Sequence, residues 1–176
     1  MIWSETYKLF KLKGITMLIL DGTIGSDISL FLTRLHEDTP PCIIMLYTEW
    51  LATHFTNCHA GNTQHPEGII YLRVSAETAF ARIKKRALPA ESGITLDYIQ
   101  QVYKQKEELF IENKNSPLEL QHLPVLVLNG NIDFQTDFAQ FYNHLFYIKR
   151  FLNQIQEKKD IALGIYKEKS PQRHCC

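Results

Sequence analysis

An α/β fold, a parallel sheet flanked by helices, is what this sequence predicts. Three short runs, 15–20, 68–72 and 124–128, are apolar throughout and bounded by Gly, Pro, Asp or Asn. Runs of that kind suit strands buried on both faces, as in a parallel sheet. Between and after them lie stretches with helical spacing, and alternation of strand with helix implies parallel strands joined by right-handed crossovers. The chain has 176 residues, 45% of them hydrophobic, enough for one domain with its own core.

Each helix has its own signal. Ser75 caps a helix over about 76–87. Thr95 caps another, with Leu96, Ile99, Val102, Tyr103, Leu109 and Phe110 on its apolar face. The last helix is the clearest, because Phe134, Phe138, Phe141, Leu145, Ile148, Leu152 and Ile155 fall on one stripe. The domain is expected over 1–155. Residues 156–176, rich in Lys and Glu and ending in Cys175 and Cys176, read as a charged, solvated tail.

Nineteen basic residues balance nineteen acidic ones, which gives no reason in bulk charge to expect nucleic-acid or membrane binding. No apolar run approaches the roughly 20 residues of a membrane span, and residues 1–14 carry charges throughout, unlike a signal peptide. The four cysteines form no C-x-x-C pair, which fits reduced thiols and a cytoplasmic chain. His54, Cys58, His59 and His65 cluster in sequence, but their spacing matches no established zinc pattern.

The most informative block runs from Gly68 to Arg86 and on to Phe110. A buried strand leads into a helix carrying Arg82 and Arg86, four apart and so on one face. Cations at a helix end suit the charge that develops on a transferred phosphoryl group, although a basic helix face is also ordinary surface decoration. Leu88, Pro89, Ala90 and Glu91 follow. The block, gapless over its whole length, resembles the deoxynucleoside kinase family, which includes deoxycytidine, deoxyguanosine and mitochondrial-type thymidine kinases. The family pattern reads I-Y-L, P-E-T, R-I-x-x-R-x-R-x-E-E, then I-P-L-E-Y-L and a helix. The resemblance covers roughly residues 15–152 and implies a P-loop kinase-like sheet. It also implies transfer of the γ-phosphoryl of ATP, with Mg2+, to a deoxynucleoside 5′-hydroxyl, as in nucleotide salvage. Arg82 and Arg86 would then form a lid over the ATP phosphates, and Glu91 would meet the sugar 3′-hydroxyl. Leu88 stands where the family has a third lid arginine, and Ala90 where it has the first acid of its pair.

Asp21-Gly22-Thr23-Ile24-Gly25-Ser26-Asp27 follows the first strand and admits two readings. As a phosphate-binding loop, G-x-x-x-x-G-K-[ST], it fails, because Asp27 and Ile28 fall where glycine and lysine are required. It fits better the family's later motif [DE]-R-S-x-x-S-D. Asp21 then matches the acid linked to magnesium, and Asp27 the residue that in some members reads the nucleobase. Gly22 replaces an arginine that contacts the reacting phosphate and sugar. The alternative for Asp21 is a strand-end acid that caps a turn. Near the last strand, Asp133 and Phe134 match the loop that cradles adenine in the family; alternatively Asp133 caps the final helix and Phe134 begins its core stripe.

The resemblance therefore implies the C-terminal two-thirds of a kinase, without the phosphate loop, its lysine or the catalytic carboxylate base. Such a chain is expected to be inactive alone, either part of a kinase completed elsewhere or a remnant that binds nucleoside or pairs with a kinase subunit. Homodimerisation is the other expectation, since Tyr47, Trp50, Leu51 and Phe55 match a family interface helix. A sheet without the central phosphate-loop strand is expected to leave unpaired edges, uncover part of the last helix and lower solubility.

Overall fold

The computed structural model describes residues 16–38, 42–48, 65–114, 116–134 and 136–162. Four parallel strands form one sheet: β1 (Thr16–Gly22), β2 (Cys42–Leu46), β3 (Gly68–Arg73) and β4 (Val125–Asn129), in the order β2-β1-β3-β4. The helices are α1 (Ile28–Asp38), α2 (Ala76–Arg86), α3 (Leu96–Phe110) and α4 (Phe138–Ala162), with a 3-10 turn at Pro89–Glu91.

The three expected strands are present, and β2 is an addition. Its sequence, Cys-Ile-Ile-Met-Leu after Pro40-Pro41, is as apolar and as sharply bounded as the others. Tyr47 and Thr48 are helical, while Trp50, Leu51 and Phe55 lie outside the described residues, as do His54, Cys58, His59, Cys175 and Cys176.

The strands expected at β1 and β3 are neighbours in the sheet. β1 pairs directly with β3, from Leu18 opposite Gly68 to Gly22 opposite Leu72. The backbone groups of these two strands therefore meet each other, and β1 pairs with β2 on its other side.

Alternation along the strands divides the core into two layers. Leu18, Leu20, Ile70, Leu72 and Leu128 face one way, against Phe31 and Leu35 of α1 and the buried stripe of α4. Met17, Ile19, Ile69 and Tyr71 face the other way, against Phe110 and Leu120. The α4 stripe keeps its cover: Phe141, Leu145, Ile148, Leu152 and Ile155 are buried, joined by His144 and Phe151. Phe138 departs from the expected stripe and is 55% exposed. Helix α4 continues to Ala162, six residues past Gln156. Among the described residues, no helix is long and apolar enough to cross a membrane.

The helix starts follow from their caps. Ser75 accepts the N–H of Thr78 at 3.3 Å, and Thr95 accepts that of Tyr98 at 3.2 Å. At the start of α4 the capping side chain is Asp137, which accepts the Gln140 N–H at 3.0 Å. Asp133 acts earlier, with its backbone carbonyl, on the N–H groups of Thr136 and Asp137.

Candidate functional site

The strand order reverses direction between β1 and β3, since the chain moves outward to β2 on one side and to β4 on the other. In open parallel sheets, ligands bind beyond the carboxyl ends of the strands at such a point. Asp21, Gly22, Arg73 and Asn129 lie at those ends.

From β1 the chain turns sharply into α1. Gly22 has no room for a side chain: a Cβ there would stand 2.6 Å from Ser26 Oγ and 2.9 Å from the Leu72 carbonyl. The arginine that the family motif carries at this position would need a different loop path. Gly25 adopts φ +86°, a left-handed conformation natural to glycine. Asp27 also has a positive φ, of 57°, and its carbonyl accepts the Phe31 N–H at 3.0 Å, opening α1.

Arg82 joins this turn to two other segments. Its Nη1 donates to the Gly130 carbonyl at 2.9 Å, and its Nη2 donates to the Ile132 carbonyl at 2.7 Å. Nη1 also reaches the Gly25 carbonyl at 3.5 Å, and Nε lies 3.5 Å from Asp27 Oδ2. Four residues on, Arg86 holds Glu91 in a two-pronged ion pair, Nη2 to Oε1 at 2.6 Å and Nε to Oε2 at 3.2 Å. The turn that makes this possible is Ala87, the left-handed C-cap of α2, which sends the chain back through Pro89–Glu91. Arg86 lines a cleft of about 360 Å³ with Thr23, Gly25, Ser26, Asp27 and Ser29. Thr23 Oγ1 is buried beside it without a hydrogen-bond partner.

Asp27 and Arg86 thus line one cleft, and each is paired with a charge beside it, Asp27 with Arg82 and Arg86 with Glu91. Asp21 is elsewhere. As an odd-numbered residue of β1 it faces α3, where it pairs with Lys106. Burial pushes its carboxyl above the ordinary carboxylate range; the Lys106 ammonium and the Gly22 N–H, at 2.8 Å from Oδ1, oppose that shift. The next residue of α3, Glu107, turns to β3, accepting from the Tyr71 hydroxyl at 3.0 Å and pairing with Arg73. Burial and the Glu107 carboxylate raise the Tyr71 hydroxyl pKa.

Asp133 is exposed on the loop gripped by Arg82, whereas Phe134 is buried against Phe31, ring centroids 5.2 Å apart. Phe134 precedes α4 and shares one core cluster with the buried residues of that helix. Lys106 and Glu107 were missed in the sequence. Lys106 interrupts the stripe Ile99, Tyr103, Lys106, Phe110, and a charge inside an apolar stripe was the available signal.

Fold and site define a parallel α/β protein with an arginine-bearing helix turned back over the ends of its strands. A deoxynucleoside kinase family model matches residues 6–156, and the chain belongs to that family. A probable deoxycytidine kinase of fowlpox virus (strain NVSL) is 30% identical over 159 residues, covering 86% of this chain and 63% of the viral protein. Human deoxycytidine kinase is 27% identical over 146 residues, 79% of this chain and 53% of the human one. The mitochondrial deoxyguanosine kinase of Xenopus laevis is 32% identical over 129 residues, with shares of 69% and 46%. The chain spans about half the length of the curated relatives it matches.

Proposed function

We propose that this chain carries the lid and substrate-contacting half of an ATP-dependent deoxynucleoside kinase. The reaction class is transfer of the γ-phosphoryl of ATP to the 5′-hydroxyl of a deoxynucleoside, in nucleotide salvage. The observation that carries this reading is a cleft lined by Asp27 and Arg86, with Arg82 and Glu91 paired to them. In such a reaction the protein acts by positioning and by charge stabilisation, which arginines on a helix end supply. Asp27 and Glu91 would contact the nucleoside, and the loop at Asp133 would lie beside the base of ATP. Asp21 belongs to the same strand ends but faces α3. A cytoplasmic location and self-association through the aromatic segment beginning at Tyr47 complete the proposal.

A polypeptide of these 176 residues transfers no phosphoryl group by itself. Its sequence contains no G-x-x-x-x-G-K-[ST] motif, and Gly22 leaves no space for the family's arginine. A second reading is nucleoside binding without transfer, or pairing with a kinase subunit. It is favoured by the pairing of Arg82 with Asp27 and of Arg86 with Glu91, which leaves the cleft near charge neutrality and suited to an uncharged nucleoside.

Radiolabelled phosphate transfer from ATP to each of the four deoxynucleosides, with calorimetric nucleoside binding in parallel, tests both readings. Nucleoside binding that Asp27→Ala weakens, without transfer, is the expected outcome. Turnover in a preparation free of host kinases would overturn the inactivity. Absence of binding would overturn the assignment of the cleft.

A further inference from the structure

The family's magnesium-linked acid falls on Asp21, and the surroundings of Asp21 do not suit a divalent cation. Mg2+ requires about six oxygen ligands in near-octahedral order. Both carboxylate oxygens of Asp21 are already engaged by N–H donors: Oδ1 by the Gly22 backbone at 2.8 Å, Oδ2 by Lys106 Nζ. The ammonium is itself seated, 5.0 Å from the centroid of the Tyr47 ring and 5.6 Å from that of Phe110. A carboxylate on one side and aromatic rings on the others form a site for a compact monovalent cation. Among the described residues, no three His, Cys, Asp or Glu side chains are placed to share a metal ion.

We propose that Lys106 is a built-in cation that takes the place of a divalent metal at Asp21. Sequence geometry imposes the pairing. Asp21 stands opposite Tyr71 in the sheet register, and both face α3. Lys106 and Glu107, adjacent on that helix, each meet one of them, so α3 is fastened to β1 through one charge and to β3 through the other. The pair is largely buried, with side-chain exposures of 8% for Asp21 and 19% for Lys106, so solvent screens it weakly. A metal entering here would have to displace a tethered ammonium and leave it without its counter-charge, a strongly unfavourable exchange. The inference stands on this geometry and is independent of whether the cleft at Asp27 binds nucleoside.

Two measurements on the whole chain test it. The first is amine labelling of Lys106 in the wild-type protein, read by mass spectrometry against the exposed Lys104, with and without millimolar Mg2+. Lys106 should label about tenfold more slowly than Lys104, with no change on adding Mg2+. A several-fold acceleration by Mg2+ would show that the metal displaces the ammonium and would overturn the proposal. The second is Mn2+ binding followed by electron paramagnetic resonance in wild type, Asp21→Asn and Lys106→Met. Wild type and Asp21→Asn should bind Mn2+ equally weakly. Wild-type binding about tenfold tighter than that of Asp21→Asn would overturn the proposal as well. Lys106→Met, if folded, should show more Mn2+ bound than wild type. Should either variant fail to fold, the labelling of the wild-type chain decides alone.

Discussion

The Ala79 carbonyl lies 2.5 Å from the position a Cβ would occupy on Gly25. The turn after β1 and the middle of α2 are therefore in contact through bare backbone, and this closeness brings Arg82 within reach of Asp27. Gly25→Ala would meet both this clash and the strain of φ +86°. We expect it to lower stability by about 2–4 kcal/mol, measured by urea denaturation. A loss under about 0.5 kcal/mol would mean that α2 and the turn separate readily.

Arg82→Ala removes the donors to the Gly130 and Ile132 carbonyls together. Charge-assisted bonds of this kind contribute about 1.5–3 kcal/mol each, and the two carbonyls gain some solvent when the side chain is cut back. The expected net loss is about 2–4 kcal/mol. Arg82→Lys should recover little of it, because an ammonium does not reproduce the planar fork. Full recovery by lysine would reduce the role of Arg82 to one of charge.

His144 gives the fold a pH response. It is buried on α4 between Phe31 and Phe134, ring centroids 6.2 and 6.0 Å away, and its Nδ1 has no hydrogen-bond partner. Burial lowers its pKa from 6.5, with Asp137 acting weakly in the opposite direction. The unfolded chain then takes up a proton near pH 6.5 that the folded chain takes up only at lower pH. The stabilisation is complete above that value and declines as pH falls through the window beneath it. His144→Phe should show a smaller drop in denaturation midpoint between about pH 7 and pH 5.5 than wild type. Equal drops in both proteins would exclude His144 as the source.

Among the described residues, β4 ends the sheet, and Val127 on it is 40% exposed. An open apolar edge invites pairing with another chain. Val127→Lys should slow aggregation, followed by light scattering on warming, while shifting stability by no more than about 0.5 kcal/mol. Unchanged aggregation would place the sticky surface elsewhere.

The sequence made legible whatever a short range of residues determines. The apolar runs of β1, β3 and β4, the caps at Ser75 and Thr95, and the buried stripe of α4 each rest on a local signal. Arg82 and Arg86, singled out through the family pattern, lie one helical turn apart on α2. Other features depend on contacts distant in sequence. That β1 would pair with β3 is fixed by the sheet as a whole, and no strand announces its neighbour. The partner of Asp21 lies on α3, and only the pleat of β1 together with the seating of that helix selects Lys106. Phe138 falls outside the buried stripe at the first residue of α4, where it is 55% exposed.

The grip of Arg82 has a consequence for motion. One guanidinium spans α2, the turn at Gly25 and the loop at Gly130–Ile132, so these three segments share their fluctuations. Moving Arg82 toward an incoming anion would cost its bonds to both loop carbonyls, one on each terminal nitrogen. Any anion that reaches this guanidinium therefore competes with two carbonyls already seated on it.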